Sequence, residues 1–430
     1  MNFEDFGFAD EVLDAIHYIN YETPTPIQEQ AIPAILNGKD VIGSAQTGTG
    51  KTAAFLLPII NKIIKSEIQD KIQALVIVPT RELALQITQQ VDGFSYFTPI
   101  SAIAVYGGGD GGLFTQEKQA LTKGVELIVG TPGRLIAHLN MTYVDMSHLS
   151  TLILDEADRM LDMGFHDDLM KIISKLPKNR QNLLFSATMP PKIRDLARKI
   201  MNPNPTEINI AISKPAEKVT QLAFVIYENQ KIPLLKYILS TSKYKSVIIF
   251  CSTKLSVKTL TAELKSHKLE VGQIHSDLEQ KERGEILLQF KNRNLPILVA
   301  TDIIARGIDI EDIDVVINYD VPSDGEDYIH RIGRTARAAS EGMAITLVNE
   351  ADQSKFAQIE KLIEKEVEKS MVPPGIGDTP EYNPRMPRTS GKRRYYGKKG
   401  GNKKHSHSGK GKHFSDNKKD HVAKKHNQKG

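Results

Sequence analysis

Three carboxylates within four positions close an apolar run, where Thr151-Leu152-Ile153-Leu154 leads directly into Asp155-Glu156-Ala157-Asp158. Carboxylates delivered at the end of a strand can hold a hard divalent cation, or take a proton from a water molecule. A solvated turn at a helix start would explain the same letters, since acids favour helix N-termini. The choice depends on whether another segment brings phosphate to meet the cation.

Such a segment lies upstream. The run DVIGSA passes into Ala45-Gln46-Thr47-Gly48-Thr49-Gly50-Lys51-Thr52, and AAFLLPIINKII follows with helical character. This resembles a P-loop, with Ala45 in place of the first glycine. Glycines let backbone N–H groups curl around phosphate oxygens at a helix N-terminus. Lys51 would reach the outer phosphates and Thr52 would ligate Mg²⁺, with Asp155 as the carboxylate facing it and Glu156 placed to polarise the attacking water.

Short aliphatic runs alternate with helical stretches on either side of these motifs. DVIGSA, ALVIVPT, AIAVYGG, ELIVGT, TLILDE and NLLFSAT form one series; SVIIFCST, EVGQIHS, LPILVATD, DVVINYD and GMAITLVN form a second. Runs this continuously apolar predict strands covered on both faces, as in a parallel sheet between helices. The expected class is α/β. Two domains are predicted, at 1–207 and 218–367, joined by a linker over 208–217 that lies within the Pro- and Asn-rich stretch 201–218.

The net charge of +4 conceals an asymmetry. Residues 371–430 carry 16 Lys and Arg against 4 Asp and Glu, leaving 40 basic and 48 acidic residues in the remainder. A basic segment this poor in apolar residues predicts disorder, with the tail expected from 368 onward, and attraction to a polyanion. Tyr395 and Tyr396 beside Arg393 and Arg394 add base-stacking capacity. Cys251 is the single cysteine, which excludes an intramolecular disulfide and fits a reducing compartment. The acidic opening MNFEDFGFADE is unlike a secretory signal, and no apolar run of 18 residues predicts a membrane span.

Taken together, these motifs resemble those of the DEAD-box ATP-dependent RNA helicases of superfamily 2, over residues 1 to about 365. The resemblance implies two RecA-like domains with ATP, Mg²⁺ and RNA bound across their cleft. Tyr21-Glu22-Thr23-Pro24-Thr25-Pro26-Ile27-Gln28 resembles the family's Q motif, in a segment spanning 1–28. By that resemblance Tyr21 stacks on adenine, Gln28 reads its edge, and Thr23 joins the nucleotide site with Ala45, Gln46, Thr47, Gly48, Thr49, Gly50, Lys51 and Thr52. The family usually has Gly-Phe where this chain has Asn20-Tyr21. Pro79-Thr80-Arg81-Glu82-Leu83 and Thr131-Pro132-Gly133-Arg134 resemble motifs gripping the RNA backbone, which implies contacts from Thr80, Arg81, Thr131 and Arg134.

The hexamer beginning at Gly107 also satisfies GxGxxG. No acid follows at dinucleotide-site spacing, and the resemblance makes Gly107 and Gly108 backbone contacts to RNA instead. Ser186-Ala187-Thr188 resembles the motif coupling hydrolysis to strand separation, with Asp158 and His330 in the same coupling set. In the second domain, Gln280 and Arg283 match a QxxR element, and Thr301 to Asp309 resembles motif V. These imply RNA contacts from Gln280, Arg283 and Thr301, and a ribose contact from Asp309. His330 to Arg337 resembles motif VI, except that Ala336 replaces glycine; Arg334 and Arg337 would stabilise charge on the transferring phosphate. Lys51, Asp155, Glu156, Arg334 and Arg337 thus form the expected catalytic set.

The opening MNFEDFGF resembles the bacterial RhlE-type branch. Family resemblance further implies a cytoplasmic setting and ribosome-assembly or RNA-decay partners, with no membrane. A DNA-directed motor of the same superfamily would share the phosphate loop and arginines, and a non-enzymatic RNA-binding scaffold would work through the tail alone. The Q-like segment, PTREL and HRIGRTAR favour RNA over DNA, while Lys51 with Glu156 argues against a scaffold.

Overall fold

The computed structural model describes residues 1–45, 48–66, 68–108, 111–210, 219–241, 244–301, 313–323, 325–335 and 342–385, with the backbone alone for Gln280 and Glu326. The expected strand runs emerge as β1 (Val41–Ser44), β2 (Ala74–Ile77), β3 (Ala102–Val105), β4 (Leu127–Gly130), β5 (Thr151–Leu154) and β6 (Gln181–Ser186), joined by β7 (Thr206–Asn209). They form a parallel sheet in the order β3-β4-β2-β5-β6-β1-β7.

A second parallel sheet contains β8 (Val219–Val225), β9 (Val247–Cys251), β10 (Val271–Ile274), β11 (Ile297–Thr301), β12 (Val315–Asn318), β13 (Gly342–Val348) and β14 (Glu368–Lys369). Its order is β10-β11-β9-β12-β13-β8-β14. The chain thus has the two-sheet α/β architecture expected of a pair of RecA-like domains.

Both faces of each sheet are covered, which is why its strands read as unbroken aliphatic runs. In the first sheet Val41, Val76, Val129, Ile153 and Leu183 pack into one core, while Ile42, Leu75, Ile128, Leu152 and Leu184 enter the opposite one. Strand periodicity divides neighbouring residues between two apolar layers. Ile249 and Val299 face one core of the second sheet, whereas Ile248 and Leu298 face another.

Two boundaries differ from expectation. β7 extends to Asn209, so the first two residues of the predicted linker end an edge strand pairing with β1. Three of its four residues, Thr206, Glu207 and Asn209, are polar, in keeping with Ile208 being the only buried one. Residues 211–218 lie outside the described residues.

The tail does not begin at 368. Glu368 and Lys369 pair with β8, and the following chain wraps the second domain to residue 385. Gln230 Nε2 donates to the carbonyls of Ile376 at 3.0 Å and Asp378 at 2.9 Å. Tyr382 donates its hydroxyl to Glu360 at 2.6 Å and sets its ring edge-on to Phe356. This proline-rich segment is held by backbone hydrogen bonds and by only three packed apolar side chains, Val372, Ile376 and Tyr382, too scattered to leave a hydrophobic pattern. The expected disorder of 386–430 falls outside the described residues. Among those described, no helix is long and apolar enough to cross a membrane.

Tyr382→Ala should destabilise the second domain by about 1–3 kcal/mol through loss of the Glu360 hydrogen bond and ring packing. Denaturant unfolding of the second domain checks this value.

Candidate functional site

β1, β6 and β5 lie side by side, and their carboxyl ends create the first site. Ala45, just past β1, donates its N–H to the Ser186 carbonyl at 3.1 Å, tying the loop's start to the end of β6. Gly48 and Gly50 have φ of +83° and +88°, left-handed values that glycine adopts without steric cost. Gly50 caps the helix Lys51–Ile64, whose first N–H groups lack helical partners of their own. Gln46 and Thr47 lie outside the described residues.

Lys51 is only 7% exposed and donates its ammonium to the Ala45 carbonyl. Asp155, 3% exposed, is delivered by β5. Burial pushes its carboxyl pKa upward; the Lys51 charge and the Glu156 N–H, 2.9 Å from Oδ1, pull it back. Thr52 is half-buried on the adjoining helical turn. An ammonium, a hydroxyl and a buried carboxylate therefore surround a helix N-terminus. This donor set fits Mg²⁺, which takes one or two protein ligands and completes its shell with phosphate oxygens and water. Among the described residues no cluster of three or more His, Cys, Asp or Glu could hold a metal by itself.

Glu156 adopts φ +50° and ψ +48°, a left-handed conformation uncommon outside glycine. That kink separates it from β5 and begins the helix Ala157–Asp162. Asp158 turns towards β6. Its Oδ2 accepts from the N–H of Ala187 at 3.1 Å, the N–H of Thr188 at 3.0 Å and the Thr188 hydroxyl at 3.1 Å. Its own N–H donates to Ser186 Oγ at 3.3 Å. The acidic turn and Ser186-Ala187-Thr188 are thus one hydrogen-bonded unit.

Gln28 is buried against the phosphate loop. Its Nε2 donates to the Gly50 carbonyl at 3.1 Å, while Oε1 accepts the Thr25 N–H at 2.9 Å. A Cβ at Gly50 would lie 2.5 Å from Gln28 Nε2, so glycine also permits this close approach. Tyr21 stands edge-on to Phe94 at 5.7 Å and remains 36% exposed; Thr23 is exposed.

A second group of candidate residues faces a different neighbourhood. Thr80 caps the helix Arg81–Phe94 through Leu83 N–H. Arg81 occupies the space that a side chain at Gly108 would need, and Gly108 itself has φ +89°. Thr131, at the start of the helix Pro132–Leu139, donates its N–H to the Val105 carbonyl at 2.9 Å. Gly107, Gly108 and Arg134 are therefore set around the ends of β3 and β4. From the second domain, Arg283 reaches Glu82 at 3.5 Å. Burial, then the Arg283 charge, depresses the Arg81 pKa, placing both cations in one electrostatic neighbourhood.

Gln280 begins the helix Gln280–Lys291, and Thr301 ends β11 in a buried position. His330 is half-buried in the helix Gly325–Ile332, with buried Arg334 just beyond it. Asp309 and Arg337 lie outside the described residues.

The profile described as DEAD/DEAH box helicase matches residues 25–196, and that described as Helicase conserved C-terminal domain matches 230–339. The ATP-dependent RNA helicase CshA of Listeria monocytogenes is 41% identical over 372 residues, covering 86% of this chain and 70% of that protein. The chain belongs to the DEAD-box ATP-dependent RNA helicase family. DEAD-box ATP-dependent RNA helicase CshA of Geobacillus kaustophilus is 40% identical over 386 residues, covering 89% and 81% of the two chains. Among solved structures, S. cerevisiae Dbp5 bound to RNA and ADP BeF3 matches with TM-score 0.76 and 31% identity, over 86% of this chain and 95% of that one.

Within this DEAD-box framework, sequence reasoning missed three buried polar residues. Glu117 and His138, each 1% exposed, pair at 2.9 Å beside Arg134. Arg331 donates to Asn318 Oδ1 at 3.0 Å and the Asp320 carbonyl at 2.9 Å, anchoring the helix that precedes Arg334. Arg331 had a visible signal in the HRIGRTAR cluster; Glu117 had none on its largely polar helix.

Asp158→Ala should leave the Ala187 and Thr188 amides without their acceptor. Local opening there should become easier by about 1–3 kcal/mol, with exchange accelerated about fivefold or more. Amide hydrogen exchange at those positions checks the outcome.

Proposed function

We propose that this DEAD-box protein binds and hydrolyses ATP in response to RNA, and uses the cycle to open local RNA structure or remodel RNA–protein complexes. The observation that carries this reading is the buried Lys51–Asp155 arrangement at the mouth of the Gly48–Gly50 loop. A lysine at a helix N-terminus and a carboxylate at a strand end suit a phosphate–metal ligand.

In this mechanism Ala45, Gln46, Thr47, Gly48, Thr49 and Gly50 line the phosphates, and Lys51 balances their charge. Tyr21 stacks on the base, with Thr23 and Gln28 completing that side and Asp309 meeting the ribose. Thr52 and Asp155 would hold Mg²⁺, which neutralises phosphate oxygens when bound. Glu156 orients water and accepts its proton as the new bond to the γ-phosphorus forms. The bond to the bridging oxygen breaks, leaving ADP and phosphate. Arg334 and Arg337 stabilise transition-state charge from the second domain.

Thr80, Arg81, Gly107, Gly108, Thr131 and Arg134 grip the RNA backbone from the first domain, with Gln280, Arg283 and Thr301 opposite. RNA bridging both sets favours the closed arrangement in which hydrolysis is fastest. Asp158, Ser186, Thr188 and His330 transmit the nucleotide state. The basic segment 371–430 adds sequence-independent affinity by counterion release. A cytoplasmic setting fits the lone Cys251, and ribosome-assembly or RNA-decay complexes are the partners that family resemblance favours. The RhlE-type branch rests on the MNFEDFGF opening.

Glu156→Gln tests the chemistry. Nucleotide and RNA affinities should stay within about threefold of wild type, while turnover falls about 100-fold or more. Wild-type turnover in this variant would overturn the assignment.

A further inference from the structure

The Glu117 carboxylate is nearly inaccessible, on a helix, Gly111–Lys123, whose surface is otherwise mostly polar. A buried carboxylate is tolerated only when its charge and lone pairs are matched. Here they are matched by two separate segments. Oε1 accepts the Tyr106 N–H at 3.1 Å, immediately before Gly107 and Gly108. Oε2 accepts Arg134 Nε at 2.7 Å and meets His138 Nε2 at 2.9 Å.

The same cluster fixes the plane of the arginine. The Arg134 guanidinium lies over the Phe114 ring at 4.8 Å, and His138 stacks on that ring at 4.4 Å and 12°. The other ring nitrogen of His138 lies 2.7 Å from the Tyr143 hydroxyl. Arg134 Nη2 is enclosed and has no hydrogen-bond partner among the described residues. Its orientation is therefore imposed through Nε and the ring face, while donor capacity is left in hand.

We propose that Glu117 is a positioning residue for RNA. It sets the spacing between the Gly107–Gly108 turn and Arg134, so that both engage phosphates of one strand together. Arg81 packs against Gly108, so the spacing also reaches the PTREL arginine. Glu117 acts through these groups and touches no RNA itself. This inference rests on the reading of Arg134 as an RNA contact.

The test is a double-mutant cycle on the full chain, reading ATPase stimulation against the concentration of oligouridylate RNA. Glu117→Ala should raise the half-saturating RNA concentration about tenfold, the size expected for one charge-assisted hydrogen bond. The maximal rate at saturating RNA should stay within about twofold, because the grip is weakened and the reacting groups are untouched. Glu117→Gln, which keeps one acceptor oxygen, should recover to within about threefold of wild type. Combining Glu117→Ala with Arg134→Ala should weaken RNA binding no further than Arg134→Ala alone.

Multiplying effects in the double variant, or a reduced maximal rate with unchanged half-saturation, would overturn the proposal. Should Glu117→Ala fail to fold, Glu117→Met, which fills the same space and offers no carboxylate acceptor, goes through the same cycle and is judged by the same criteria. Impaired Arg134→Ala with normal Glu117→Ala overturns this inference alone. An Arg134→Ala variant with normal RNA response overturns the RNA-contact reading, and this inference with it.

Discussion

The first domain depends on keeping an ammonium and a carboxylate out of water at the edge of an apolar sheet. Lys51 and Asp155 are both buried, and neither charge would be stable there alone. The loop after β1 and the end of β5 place them on opposite sides of β6, near enough for the Lys51 charge to act on Asp155. Left-handed Gly48 and Gly50 then leave room for a ligand where side chains would otherwise intrude. The sheet's full burial on both faces holds these strand ends still.

From that centre, short polar connections reach outward. Asp158 fastens the acidic turn to Ala187 and Thr188, while Gln28 fastens the segment preceding its helix to Gly50. The phosphate loop is therefore joined to Gln28 by a direct hydrogen bond and to the acidic turn by way of Ser186. Farther along the same sheet edge, Arg81 and Arg134, with Arg283 reaching in from the second domain, are restrained by Glu82 and Glu117. The carboxylates hold these mutually repelling cations in one neighbourhood. We place the nucleotide at the first group and RNA at the second, with the coupling unit between them.

Much of this was legible from residue type and spacing. Strands covered on both faces announce themselves as aliphatic runs, and the phosphate loop and acidic turn carry chemistry that few other contexts need. β7, with its TEIN sequence, and β8, with the mixed VTQLAFV, were not anticipated because polar residues interrupt their apolar pattern. The strap reaching residue 385 was hidden for another reason. Backbone hydrogen bonds, Tyr382 and the scattered side chains of Val372 and Ile376 hold it, and none of these leaves a periodic signal. Glu117 was the least visible, because a buried carboxylate is recognised by partners that only tertiary structure assembles.

The central claim is that RNA, bound across two domains, completes a catalytic set that either domain lacks. It is tested most directly by steady-state ATP hydrolysis measured against RNA and against DNA of equal length and sequence. The account predicts saturable stimulation by RNA and a much weaker response to DNA. A rate indifferent to RNA, or one that prefers DNA, would contradict it.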